Sequence, residues 1–204
     1  MSIRAIAPRF AIASAGLMLA ASAHANQIVN GGFENPDVTT GNWSFFPTAS
    51  VPGWDGDNVE IWDTYGGVVA AEGTQYAELN AHPGDGTLFS IYQSFATVVG
   101  QAYDVSFFYR ARVNDSESFQ FSAGPLSTSL NDHVTGSWSW YMNSFVADST
   151  VTTLRFTSAN TGTLGNFLDD VIVTRKASVP EPGTLALLGL GLAGLGLGRR
   201  RKAV

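Results

Sequence analysis

Between residues 26 and 176 apolar and polar side chains alternate with a period of two almost everywhere. Tyr103, Val105, Phe107, Tyr109 and Ala111 alternate with Asp104, Ser106, Phe108, Arg110 and Arg112, the pattern of a half-buried antiparallel strand. Similar short runs predict strands over 58–62, 75–80, 88–95, 118–123, 138–146, 151–158 and 167–174. Turn-forming clusters separate them: Asp55-Gly56-Asp57, Pro83-Gly84-Asp85-Gly86, Asn114-Asp115-Ser116 and Asn160-Thr161-Gly162, whose residues either tolerate positive φ or bond their own backbone. Nothing in this region keeps a helical period, and no internal repeat is present. Short strands at regular spacing predict an all-β fold, a two-sheet antiparallel β-sandwich of jelly-roll type.

The two ends break this pattern. Arg4 and Arg9 precede an apolar stretch over 10–21, and Ala23-His24-Ala25 suits cleavage by signal peptidase before Asn26, so residues 1–25 read as a secretory signal rather than a structural helix. At the other end stand Val179, Pro180, Glu181, Pro182, Gly183 and Thr184, then an uncharged segment over 185–198, then the basic stop Arg199, Arg200, Arg201 and Lys202. As a helix, 185–198 is about 21 Å long against a hydrocarbon core of about 30 Å. Snorkelling of the flanking cations and local thinning bridge the difference. Its five glycines weaken the helix while admitting a close partner. The basic cluster favours a cytoplasmic C-terminus, which leaves everything upstream outside the membrane. The expected organisation is a signal over 1–25, an ectodomain over 26–176, a linker over 177–184, a transmembrane segment over 185–198 and a basic tail over 199–204.

The order of turn motif, greasy segment and basic stop resembles the PEP-CTERM sorting signal of Gram-negative bacteria. That resemblance implies a protein exported, held in the inner membrane by its tail, and handed to a transpeptidase of the exosortase family. Its destination is then the cell surface or extracellular matrix.

Composition changes the picture once the ends are set aside. The chain carries 11 Lys and Arg against 17 Asp and Glu. Six of the cations lie in the two ends and Glu181 in the linker, leaving 16 acids against five bases in the ectodomain, a balance of −11. A nucleic-acid or anionic-lipid surface would need the opposite sign, so no nucleic-acid partner is expected. Such a balance suits calcium or plain solubility, and any glycan ligand is expected to be neutral. Cysteine is absent, so stability rests on core burial or a bound ion.

A second resemblance lies within the ectodomain. Asn30-Gly31-Gly32-Phe33-Glu34, Val51-Pro52-Gly53-Trp54, Gln75-Tyr76-Ala77-Glu78-Leu79-Asn80 and Phe167-Leu168-Asp169-Asp170-Val171, in that order, look like galactose-binding-domain-like jelly rolls, among them carbohydrate-binding modules. The resemblance implies a structural calcium between the first strand's Glu34 and the last strand's Asp169, joined by Glu72 and local carbonyls such as that of Gly32. From the residues alone, Asp169 shares a face with Phe167 and Val171, and a buried carboxylate needs a cation or several donors. Backbone N–H groups, or Arg110, Arg112 or Arg155, remain the alternatives to calcium.

Aromatic side chains are the candidates for ligand contact, since flat rings stack on sugar faces. All five Trp lie in the ectodomain, at 43, 54, 62, 138 and 140. Trp54 and Trp62, flanking Asp55-Gly56-Asp57, are the first choices for ligand-binding rings, and Trp138, Trp140 and Met142 share one face of a strand opposite Ser139, Tyr141 and Asn143. Catalysis finds little support: there is no Cys nucleophile, no Gly-x-Ser-x-Gly elbow and no His-Glu-x-x-His motif, and no spacing among the many carboxylates identifies a glycosidase pair. His82 and His133, the latter beside Asp132, sit in turn-like surroundings. The sequence predicts a non-enzymatic surface protein that binds carbohydrate, its exopolysaccharide foremost. The alternative is a structural surface or biofilm-matrix component with no specific ligand.

Overall fold

A computed structural model describes residues 25–84, 86–113, 117–131, 136–177 and residue 190. The sorting motif, the 185–198 segment apart from Leu190, the basic tail, and His133 with Asp132 lie outside the described residues.

Eleven strands form two antiparallel sheets: β1 (Asn42–Phe46), β2 (Asp55–Gly56), β3 (Val59–Asp63), β4 (Gln75–Glu78), β5 (Ser90–Ala96), β6 (Ala102–Ala111), β7 (Phe119–Ala123), β8 (Leu126–Leu130), β9 (Ser139–Val146), β10 (Val151–Ser158) and β11 (Asn166–Arg175). One sheet has the order β1-β3-β4-β11-β6-β9, the other β2-β5-β10-β7-β8. The predicted β-sandwich of jelly-roll type is thus the observed fold, and no α-helix spans the described ectodomain.

Alternation dictates what the sandwich buries. Val59 and Ile61 of β3, Ala77 of β4, Leu168 of β11 and Val105, Phe107 and Tyr109 of β6 face Ile91, Phe121, Leu154 and Phe156 of the other sheet in one continuous core. Phe107 sits at its centre, 4.9 Å from both Phe121 and Phe156. By the period of two, the intervening residues of β1, β3, β4, β11, β6 and β9 point to the opposite, outer face of the six-stranded sheet. That outer face is also largely apolar and buried: Trp62, Tyr76 and Phe167 form a second cluster with Trp43, Val68, Ala70 and Trp138 packed on it. Loop 64–74 supplies Val68 and Ala70 and so covers the middle of the face.

Three strands differ from the sequence reading. β2 occupies Asp55-Gly56, read as a turn, and pairs with Tyr92 and Ile91 of β5. β1 and β8 were not predicted: Leu126-Ser127-Thr128-Ser129-Leu130 has too few apolar residues to signal a strand and is held by pairing with β7. Along β11, register shifts between Asp169 and Ile172. This bulge puts Leu168, Val171 and Val173 in one core, so Asp169 does not share a face with Val171 as strict alternation implied.

Candidate functional site

The outer face of the six-stranded sheet is organised in two cross-strand rows. In the first, Trp43 lies opposite Trp62, and Trp62 opposite Tyr76; further along, Asp169 lies opposite Phe108, and Phe108 opposite Trp140. In the second, Phe45 is opposite Glu60, Glu60 opposite Glu78, Glu78 opposite Phe167, and Phe167 opposite Arg110. At the usual strand spacing the first row, across six strands, is about 24 Å long and the second, across five, about 19 Å. An aromatic row therefore runs beside a charged one.

The rings contact each other across strands. Trp43 stacks on Trp62 at 5.9 Å, Trp62 on Tyr76 at 6.3 Å, and Tyr76 meets Trp138 edge-on at 5.7 Å. At the two sheet edges the rings reach solvent: Trp140 is 60% exposed, with Met142 beside it, and Phe45 is exposed at the other end. Near the β1 edge, Trp43 lines a cavity of about 310 Å³ together with Asp37, Thr39 and Asn42. Carboxylate, hydroxyl and amide groups thus stand beside a flat ring.

Sequence reasoning missed the charged row, because nothing in a strand's alternation marks a buried ion. Glu60 accepts from Trp62 Nε1 at 3.0 Å and from the His82 backbone N–H at 3.1 Å, and His82 Nδ1 lies 3.0 Å from the same carboxylate. His82, in its turn, thus keeps a 40% exposed side chain while bonding a buried carboxylate. Glu78 accepts from Arg112 Nη1 with both oxygens, at 2.9 and 2.8 Å, and from Gly165 N at 2.9 Å. The Arg112 guanidinium in turn lies 4.7 Å over the Trp62 ring. Burial outweighs these donors and pushes the Glu78 carboxyl up to about 8.

Trp54 and Trp62 do not stand in solvent as expected of ligand contacts. Trp54 is 4% exposed within the main core, stacked on Phe33 at 4.9 Å, with its Nε1 donating to the Asn30 carbonyl. The apolar partners on both sheets outcompete solvent for a side chain of that size. Trp62 is likewise 4% exposed, but on the outer face beneath loop 64–74, where Tyr65 meets it edge-on at 5.1 Å. The exposed pair on β9 is Trp140 and Met142, while Tyr141 packs inward, 4.7 Å from Phe107.

Glu34, Glu72 and Asp169 do converge, around Gly32. A methyl group placed on Gly32 would lie 3.4 Å from Glu72 Oε2, 3.9 Å from Asp169 Oδ1 and 3.9 Å from Glu34 Cγ. Asp169 is fully buried. Its Oδ2 accepts from the backbone N–H of Ala71 and Glu72 at 2.7 and 3.0 Å, and its Oδ1 from Asp170 at 2.7 Å. Even so, desolvation pushes its carboxyl up to about 7. Glu34 Oε1 accepts from Thr74 and Gln75 N–H, and Oε2 from the Thr74 hydroxyl. Gly73, at φ 62°, passes so close to Glu34 Oε1 that any side chain would collide with it. Phe33 and Asp170 flank the site in the left-handed region, at φ 55° and 48°, a conformation uncommon outside glycine.

These carboxylates therefore anchor the far end of the covering loop. None of the arginines offered as partners reaches Asp169: Arg112 is taken by Glu78, and Arg155 lies 4.0 Å over the Tyr92 ring. Among the described residues, no three His, Cys, Asp or Glu side chains are set to hold a metal ion by themselves. A cation here would need Glu72 and Asp169 together with backbone carbonyls and solvent. That donor set is all oxygen, as calcium prefers.

Residues 178–202 match the PEP-CTERM protein-sorting motif. No curated protein matches the chain. Among solved structures, an arabinose-bound α-L-arabinofuranosidase is similar at a TM-score of 0.52 with 11% identity, over 78% of this chain and 28% of that one. A carbohydrate-binding module in complex with β-1,4-galactotriose is 16% identical over 74% of this chain and 99% of its own, with a TM-score of 0.45. A family 16 carbohydrate-binding module is 16% identical over 73% and 99%, with a TM-score of 0.46. The class is therefore a β-sandwich carrying a C-terminal sorting motif, the mark of an exported protein sorted at the membrane.

Proposed function

We propose that this chain is a non-catalytic surface or matrix protein that binds polysaccharide on the outer face of its six-stranded sheet. The observation that carries this reading is the aromatic row set beside a charged row, with rings open to solvent at both edges of the sheet. Rings offer the sugar's C–H faces a flat apolar support, and Asp37, Thr39 and Asn42 beside Trp43 are donors and acceptors of the kind that hydroxyls need. The reading is a binding one because Glu60 and Glu78, the two facing carboxylates on that surface, are closed off from solvent and already committed to Trp62, His82, Arg112 and Gly165. The burial of Trp54 and Trp62 favours the second reading, a structural matrix component. It leaves the exposed Trp140 and Met142 without a role.

A glycan array with the purified chain tests this, followed by retention on whichever polymer binds. Stacking one ring contributes about 0.5–1.5 kcal/mol beyond the area it buries, so Trp140→Ala is expected to weaken retention roughly two- to tenfold. Its melting temperature should stay unchanged, because the ring is 60% exposed. Absence of binding to any glycan supports the matrix reading instead.

Export by the N-terminal signal and processing by signal peptidase and exosortase complete the proposal, resting on the sorting motif. Intact-mass analysis of the protein from its own cell checks the processing: a mature chain lacking Val204 is expected, and retention of Val204 beside an active exosortase contradicts it.

Calcium is part of the proposal as a structural ion beside Gly32, held by Glu72 and Asp169. It would replace the missing counter-charge of a carboxylate buried without a cation and fix the end of loop 64–74. With free calcium a hundredfold above its dissociation constant, stabilisation is about 2.7 kcal/mol. The melting temperature is expected to rise with calcium, fall with chelator, and respond to neither in Asp169→Asn. A wild-type melting curve unchanged by calcium removes the ion from the account.

A further inference from the structure

Two buried polar atoms on the outer face have no partner: the Tyr76 hydroxyl and Arg110 Nε. Their neighbours are matched, since Glu60, Glu78 and Asp169 all receive donors. Arg110 differs from Arg112 in forming no ion pair among the described residues. Its guanidinium lies 5.8 Å over the Trp138 ring, and Tyr76 meets the same ring edge-on at 5.7 Å. The Arg110 charge also acts on the Tyr76 hydroxyl. One indole is thus flanked by an O–H donor and by an unneutralised, partly buried guanidinium. Leaving both unmatched is costly, more so in surroundings poor in water.

The group that complements a hydroxyl donor and a guanidinium is planar, anionic and has two acceptor oxygens. A carboxylate meets the guanidinium fork with two parallel bonds and still has a lone pair for the tyrosine. Sugar hydroxyls would satisfy the hydrogen bonds but leave the charge. Resting on the reading that this face binds polysaccharide, we propose that Arg110, Tyr76 and Trp138 form a subsite for a carboxylate-bearing sugar, so that the ligand is an acidic polysaccharide. The domain's balance of −11 suggested a neutral one, but net charge is a property of the whole surface, and Arg110 is the largest of the charges acting on the Tyr76 hydroxyl, ahead of Glu78, Arg112 and Asp63.

Tyr76 is fully buried, so access requires loop 64–74 to move. Over the subsite the loop is held by the Trp138 Nε1 bond to the Val69 carbonyl, 2.8 Å long, and by the packing of Val68 and Ala70. Gly66 and Gly67, at φ 65° and 78°, stand in open space, and Val69 is exposed. Outward movement of 66–70 would break that bond and the packing of Val68 and Ala70, and is the step by which the two unmatched donors would be exposed.

The test is affinity electrophoresis of the full chain in gels containing alginate or polygalacturonate, the same polymers with their carboxyls reduced to alcohols, and neutral galactan, all at one ionic strength. Wild type is expected to bind a polyuronate roughly ten- to a hundredfold more tightly than its reduced form, the range for hydrogen bonds to a charged group. Arg110→Gln and Tyr76→Phe should each shrink that ratio, and Arg110→Lys should keep part of it, since charge remains but the fork is lost. Melting curves of all three identify folded variants, and Tyr76→Phe removes a single oxygen. If wild type binds polyuronate and reduced polymer equally, or keeps its preference in Arg110→Gln, the carboxylate subsite is wrong while the polysaccharide reading stands. If none of these polymers and no glycan on the array binds, both fail together.

Discussion

Trp54→Ala is expected to lower folding stability by about 3–5 kcal/mol, the range for removing a buried Trp or Phe. The ring fills the core between Phe33 and Phe156, with centroids 4.9 and 6.2 Å away, and its Nε1 fixes the Asn30 carbonyl in the bend that leads to Glu34. Truncation therefore opens a cavity and also removes one of the two donors to the Asn30 carbonyl, which keeps the Phe33 N–H at 3.2 Å. Chemical denaturation monitored by circular dichroism measures the loss. A change below about 1 kcal/mol, within the ordinary range for surface sites, would place Trp54 outside the core.

Arg112→Ala is expected to be as damaging, in a manner that depends on pH. Glu78 is 1% exposed and its carboxyl is pushed up to about 8 by burial, against an ordinary value of 4.5. Because the folded value is the higher one, the folded state holds a proton that the unfolded chain gives up between those limits. The stability contributed by Glu78 is then fully present below about 4.5 and is lost as pH rises towards 8, alongside that of Asp169, whose carboxyl is raised to about 7. Removing Arg112 takes away the cation that tolerates the ionised form, so above pH 8 the variant should lose about 3–5 kcal/mol, the cost of leaving a buried charge unpaired. Near pH 5 the proton neutralises Glu78 and the loss should shrink to that of the guanidinium's packing on Trp62. Glu78→Gln should flatten the wild-type slope in the same window. Denaturant midpoints for the three proteins across this pH range check it, and parallel profiles would contradict the assignment.

The strands that carry the fold were legible where one face is core and the other polar. β6, where Tyr103, Val105, Phe107 and Tyr109 alternate with polar residues, shows this best. The same rule misled at the outer face, because there both sides of β3 and β4 are buried. Trp62 and Glu60 gave no periodic sign that a loop would cover them. By sequence Trp54 reads as a loop ring since Gly53 and Asp55-Gly56 surround it, yet a loop residue can enter the core when a sheet edge such as β2 brings it there. The Glu34, Glu72 and Asp169 side chains all lie around Gly32, but the hydrogen bonds of Glu34 and Asp169 to backbone N–H groups, and the bulge that turns Val171 inward and off the Asp169 face, are matters of register that one strand's sequence does not encode. The unmatched Tyr76 and Arg110 depend on three strands and a loop, and were invisible for the same reason.

Placing the polysaccharide on the outer face of the six-stranded sheet is tested most directly through the five indole N–H signals, one per Trp, in a nitrogen-labelled sample titrated with a binding glycan. Trp138 and Trp140 are expected to shift first, Trp43 with them when the ligand spans the row, and Trp54 to stay unmoved in the core. Unmoved Trp138 and Trp140, with backbone shifts instead around the 310 Å³ cavity of the other sheet lined by Leu88, Gln120, Ser129, Asn131 and Thr157, would put the ligand elsewhere.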